Sequence, residues 1–128
     1  SVASSSQTLK TGALEINFKG SRKSFSAAND QLFRHEFQFN YLKKGAKFSG
    51  KIFGAELQKL VDQFGTSNVR QIIAYSFDGH QVIFSQEDFK NNLLIIGLDA
   101  AEQQFTLYPL QDKFPNRIVK QLQKIEID

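Results

Sequence analysis

Two histidines, thirteen acidic residues and no cysteine bound the chemistry open to this 128-residue chain. Asp78 stands two residues before His80, but no serine completes a nucleophilic triad and no G-x-S-x-G is present. A phosphate-cradling P-loop and a G-x-G-x-x-G are also missing. Glu87 and Asp88 are adjacent carboxylates, which suits the start of a helical turn better than paired acid and base work. The lack of cysteine excludes disulfides, zinc ribbons, iron–sulfur clusters and every thiolate-bound metal. His35 and His80 are too few for a histidine-rich metal centre. The expectation is a protein that is not an enzyme.

Charge offers a second route to function. Residues 1–60 carry ten Lys/Arg against four Asp/Glu, residues 61–112 two against seven, and residues 113–128 four against two. The basic groups Lys19, Arg22, Lys23, Lys43, Lys44, Lys47 and Lys51 therefore lie early, and Lys113, Arg117, Lys120 and Lys124 late. Folded together they form a positive surface for an anion. Apart, they are solvating charges, the simpler expectation for Lys43, Lys44 and Lys47. A pI near 9.2 raises nucleic acid as a partner, with Phe37, Phe39 and Tyr41 as a stacking platform. Thirteen phenylalanines in a chain without Met or Trp are needed mainly as core, so no nucleic-acid partner is expected.

The positioning elements follow from periodicity. Alternation predicts strands over residues 12–18, 34–42 and 46–53, and β-rich runs predict others over 69–77, 80–85, 93–98 and 105–108. Asp78-Gly79 marks a hairpin. Leu57, Leu60, Val61 and Phe64 recur at helical spacing before Gly65. Ser26 caps a short helical turn to Phe33, and Ser85 with Asp88 caps another. Residues 117–127 fit helix or strand equally. About seven strands and two or three short helices predict a single α+β domain over residues 11–128, with mixed β-sheets. Residues 1–10 read as a flexible leader left by processing. Export to the periplasm is expected, and no window is apolar enough for a direct membrane span.

Four segments, in order, resemble the molybdopterin-binding domain of the sulfite oxidase family. They are Gly54-Ala55-Glu56-Leu57-Gln58-Lys59-Leu60-Val61, Ser76-Phe77-Asp78-Gly79-His80 followed by Ser85-Gln86-Glu87-Asp88-Phe89, and Leu93-Leu94-Ile95-Ile96. The fourth is Leu107-Tyr108-Pro109 with Asp112, Pro115 and residues 119–127. The resemblance implies that family's fold. It also implies a molybdenum-ligating cysteine near Phe37 to Tyr41, where this chain has none, and His80 replaces the tyrosine of the family's D-G-Y.

Among the family's members the chain is similar to short, exported, cysteine-free, pterin-binding regulators of a membrane-bound cyclic-di-GMP signalling enzyme. The implied ligand is a pterin, a reduced pterin included, with no molybdenum. The implied partner is the periplasmic domain of the membrane signalling protein. By motif position the pocket residues are Tyr41, Ser76, Asp78, His80, Tyr108, Asp112, Arg117 and Lys120. Asp78 accepts from the pterin amino and ring N–H groups in this reading. Its alternative is a plain Asp-Gly turn residue. The alternatives for the whole chain are a molybdopterin oxidoreductase-like protein or subunit, and a degenerate interaction domain with an empty pocket.

Overall fold

Phe18, Ile16 and Leu14 are buried while the residues between them are half-exposed, and this alternation runs through most of the sheet. A computed structural model describes residues 12–65, 68–91 and 93–128; the expected leader lies outside the described residues. The strands are β1 (Ala13–Phe18), β2 (Ser21–Ser26), β3 (His35–Lys43), β4 (Ala46–Glu56), β5 (Gln71–Ser76), β6 (Gln81–Ser85), β7 (Leu94–Asp99), β8 (Gln104–Pro109) and β9 (Val119–Ile127). The helices are α1 (Leu57–Asp62) and α2 (Gln86–Asn91), with short 3-10 turns at Asp30–Phe33 and Pro115–Arg117.

The expected α+β class is corrected. Strand accounts for 57% and helix for 16%, in one mixed sheet with two short helices, so the protein is β-rich. Three particulars explain the difference. β2 forms where no strand is expected, pairing antiparallel to β1 from Ser21↔Phe18 to Ser26↔Ala13. The predicted helix over 54–64 shrinks because Gly54, Ala55 and Glu56 remain in β4 and pair with Gly97, Ile96 and Ile95 of β7. Residues 119–127 are strand throughout.

The sheet runs β2-β1-β9-β8-β7-β4-β3, with β5 also paired to β9 and β6 to β5. β9 is the organiser. Its first half pairs with β8, and its second half pairs with both β1, in parallel, and β5. Leu107, Phe105, Ile72, Ala74, Phe84, Leu122 and Ile125 meet in one core with Leu57, Leu60 and Val61 of α1. Among the described residues no helix is long and apolar enough to cross a membrane.

β3 and β4 form a long antiparallel ribbon, paired from His35↔Gly54 to Lys43↔Ala46. Its tip turns through Lys44 at φ 52° and Gly45 at φ 79°, two left-handed residues that close a two-residue hairpin. Among the described residues the ribbon joins the rest of the sheet through three β4–β7 pairs, which start at Gly54. Glycine is required there: a Cβ on Gly54 meets the Ile96 carbonyl oxygen and comes within 2.9 Å of Gly97 Cα. Farther along, the Leu42 N–H donates to the Lys113 carbonyl at 2.9 Å, and the buried Tyr41 hydroxyl donates to the Pro109 carbonyl at 3.0 Å.

This last bond is a local test of how the ribbon is held. Tyr41→Phe removes the hydroxyl with little change in volume and leaves the Pro109 carbonyl with the Asp112 N–H alone, at 3.1 Å. An expected loss of about 1 kcal/mol in unfolding free energy follows from the net worth of such a bond. Urea unfolding of the two proteins measures it.

Candidate functional site

The eight residues singled out by motif position fall into three places. Ser76, Asp78 and His80 form the β5–β6 turn and bond one another. The Ser76 hydroxyl donates to Asp78 Oδ1, and the His80 N–H lies 3.1 Å from both Ser76 Oγ and Asp78 Oδ1. The Ser76 hydroxyl first, and then the His80 N–H, hold the Asp78 carboxyl below the usual carboxylate range. Asp78 is thus the acceptor that closes the turn, with its Oδ1 already engaged by two donors.

Asp112 and Arg117 form the second group, together with Asp88. Arg117 Nε and Nη2 donate to the two oxygens of Asp112, each at 2.8 Å. Its Nη1 and Nη2 donate to Asp88 at 2.9 and 3.0 Å. The guanidinium also lies 4.9 Å from the Phe84 ring centroid. Asp88 has a second role, because its Oδ2 accepts the Ser85 N–H at 2.9 Å while the Ser85 hydroxyl accepts the Asp88 N–H at 3.1 Å. This reciprocal cap starts α2, as the Ser85/Asp88 spacing predicts. Arg117, above all, holds the Asp88 carboxyl down to about 2. The guanidinium is therefore a clasp between the α2 cap and the loop after β8, with four of its five N–H donors engaged within the protein.

The third place has the properties of a binding cleft. Phe39, Leu42, Lys43, Lys44, Phe48, Tyr108, Phe114, Pro115, Asn116, Ile118 and Lys120 enclose about 420 Å³, within the range of small-molecule sites. Phe39 stacks on Tyr108 at 5.5 Å between centroids and 20° between planes, and Phe48 meets Phe39 edge-on at 5.3 Å. Glycines make the stack possible. A Cβ on Gly50 would fall 2.9 Å from the Phe39 ring, and one on Gly97 would fall 2.9 Å from the Tyr108 ring. Burial first, then the Asp99 charge, pushes the Tyr108 phenol up. Burial, and then Asp112, does the same to Tyr41 beside it. Both rings therefore stay neutral at physiological pH.

A larger cleft of about 720 Å³ lies against Tyr108 as well, lined by Asp30, Arg34, Lys51, Ile52, Asp99 and Thr106 among others. Its cations are already matched, Arg34 to Asp30 at 2.9 Å and Lys51 to Glu36 at 3.2 Å. The smaller cleft differs: none of Lys43, Lys44 and Lys120 forms an ion pair with a described residue, and Lys43 lies 5.5 Å from the Phe48 ring. Excess positive charge beside an aromatic wall favours a flat anionic ligand.

Of the eight motif residues, Tyr108 and Lys120 line this cleft, and Tyr41 stands behind it, 5.7 Å from Phe39 and 6.3 Å from Phe48 between ring centroids. None of Ser76, Asp78, His80, Asp112 or Arg117 lines it. Phe48, Phe114, Asn116 and the tip lysines are functional candidates that motif position missed. Their alternation and turn chemistry are visible in the sequence, but their meeting depends on the long-range contact of the ribbon with the 113–118 loop, through the Leu42–Lys113 bond.

The strand where the family resemblance implies a metal ligand presents Phe37, Phe39 and Tyr41 on one face and Gln38 and Asn40 on the exposed other. Aromatic rings and carboxamides are not the thiolate that the resemblance implies for molybdenum, so this donor set does not fit that metal. No protein-family model matches the chain, and no curated protein is significantly similar to it.

Proposed function

We propose that the protein is a non-enzymatic module that binds a pterin in the cleft between the ribbon tip and the 113–118 loop. The observation that carries the reading is the Phe39–Tyr108 stack beside a cleft with three lysines on its lining. The pterin ring lies against this aromatic wall, where flat, polarisable surface is worth most. Asn116 is the neutral amide among the lining residues, and a carboxamide supplies both donor and acceptor to a lactam edge. An anionic substituent on the ring falls among Lys43, Lys44 and Lys120. Occupancy ties the ribbon to the loop, which gives a partner such as the periplasmic domain of a cyclic-di-GMP signalling enzyme something to read.

The test is extraction followed by binding. Protein purified from its native cells and denatured is expected to release a pterin identifiable by fluorescence and mass. Stripped protein is expected to bind added reduced pterin in calorimetry. No pterin in the extract together with no heat on titration overturns the proposal. Lys120→Gln, at an exposed position, is expected to weaken an anionic pterin up to about fivefold while leaving unfolding unchanged, the upper worth of one solvent-exposed ion pair. Asp78→Asn is expected to leave affinity unchanged.

A further inference from the structure

The ribbon tip has a second property that does not depend on the ligand reading. Residues 37–55 and 113–125 contain no acidic residue, and the structure joins these two segments through the Leu42–Lys113 backbone bond. Of their cations, Lys51 is matched by Glu36, Arg117 by Asp88 and Asp112, and Lys124 by Glu126. Lys43, Lys44, Lys47, Lys113 and Lys120 are exposed, and none forms an ion pair with a described residue. Without those five charges the formal charge of +3 becomes −2, so the molecule is strongly polarised towards this end.

Large apolar side chains are exposed among the same lysines. Phe114 is 51% exposed, Phe48 38% and Leu42 37%. Two of the rings are paired with ammonium groups, Lys113 at 5.6 Å from Phe114 and Lys43 at 5.5 Å from Phe48. Lysines interleaved with Phe and Leu are the composition that settles at a lipid headgroup boundary, where cations meet anionic headgroups and the rings enter the acyl edge. A protein interface also favours aromatic rings but depletes lysine around them, whereas here ammonium groups sit on the rings themselves.

We infer that this end of the molecule docks on an anionic phospholipid surface, with the turn at Lys44–Gly45 and Phe114 leading. Lys43, Lys44 and Lys120 also line the cleft, so both sites draw on the same cations. The geometry places the cleft against the bilayer, as suits a module that acts beside a membrane partner.

The experiment uses vesicles of phosphatidylcholine alone or with phosphatidylglycerol at about a third of the lipid, and protein stripped of ligand. Flotation is expected to show binding to the anionic vesicles only, lost as salt rises towards about 0.5 M. The triple substitution Lys43→Gln, Lys44→Gln, Lys113→Gln is expected to weaken binding about a hundredfold, at about fivefold per lysine near the surface. Lys51→Gln and Lys124→Gln, whose charges are matched by carboxylates, are expected to change it less than about twofold. The chain has no tryptophan, so Phe114→Trp gives a sole reporter whose emission shifts to the blue on insertion. No flotation of folded protein at low salt overturns the inference, as does equal binding to both vesicle types. Binding to soluble polyglutamate without binding to anionic vesicles overturns it in favour of an acidic protein partner. Because ligand-free protein is used, failure of the pterin proposal leaves every arm readable.

Discussion

Gly54→Ala is expected to cost about 3 kcal/mol or more of stability and to leave most of the protein insoluble when expressed. The added methyl meets backbone, the Ile96 carbonyl oxygen and Gly97 Cα, rather than the end of a side chain that can turn away. Relief requires β4 and β7 to separate at Gly54↔Gly97, the first of the three pairs that join the ribbon to β7. Overpacking a fixed backbone contact lies at the high end of such penalties, against a total stability of about 5–15 kcal/mol for a domain. Gly50→Ala is the informative contrast. Its Cβ meets only the far edge of the Phe39 ring, which can tilt, so fold survives while the Phe39–Tyr108 stack is disturbed. Soluble yield and urea unfolding measure the first variant; a soluble Gly54→Ala protein with an unchanged midpoint would falsify the account of the join.

Arg117→Met carries the second large effect, an expected loss of about 2–3 kcal/mol. It removes four charge-assisted bonds and takes the guanidinium away from the Asp88 and Asp112 carboxylates, whose side chains are only 20% and 14% exposed. Breaking a part-buried pair from one side costs more than the pair contributes. Arg117→Lys restores the charge but not the planar fork, and rescues only part of the loss.

The pH dependence has a definite sign. Asp88 is pushed down from 3.8 to about 2 in the folded protein, so its contribution is present above the unfolded value. It amounts to about 2 kcal/mol, at 1.36 kcal/mol for each unit. That stability is lost as pH falls from about 4 through about 2. Chemical unfolding of wild type across this interval is expected to show the decline, and Arg117→Met is expected to show little of it. A variant with the same acid slope as wild type would place the origin of the slope elsewhere.

Much of the fold was legible, and the misses have physical causes. β1 and β3 are read directly because one face meets the core or the ribbon's inner side and the other meets water. β2, Ser21–Ser26, buries only Phe25. Its strand conformation comes from backbone pairing with β1, which leaves no hydrophobic alternation to detect. β9 misleads in the opposite way. Its register shifts against both β8 and β5, and Gln121 adopts φ 51° within it. These irregularities place Val119, Leu122 and Ile125 inward at a spacing of three, which mimics a helix.

The candidate site was less legible than the fold. Asp78 and Arg117 have chemistry-bearing side chains, yet the first closes a turn and the second a clasp. The cleft is built from Phe39, Phe48, Tyr108, Phe114 and lysines that local sequence treats as core and solvated surface. Only the long-range placement of the ribbon, joined to β7 from Gly54 and bonded to the end of β8 and the loop after it through Tyr41 and Leu42, turns them into one wall. A motif marks residues near one another in sequence, and here the relevant neighbours are about seventy positions apart, as Phe39 and Tyr108 are.

A residue-resolved NMR titration of ligand-stripped protein with reduced pterin distinguishes binding in the aromatic cleft from binding at the β5–β6 turn. Concentration-dependent shifts are expected at Phe39, Tyr108, Asn116 and Lys120, with upfield ring-current shifts on the pterin from stacking. The Ser76–His80 turn stays still. Shifts confined to that turn, or no shifts at saturating pterin, would contradict binding in the cleft.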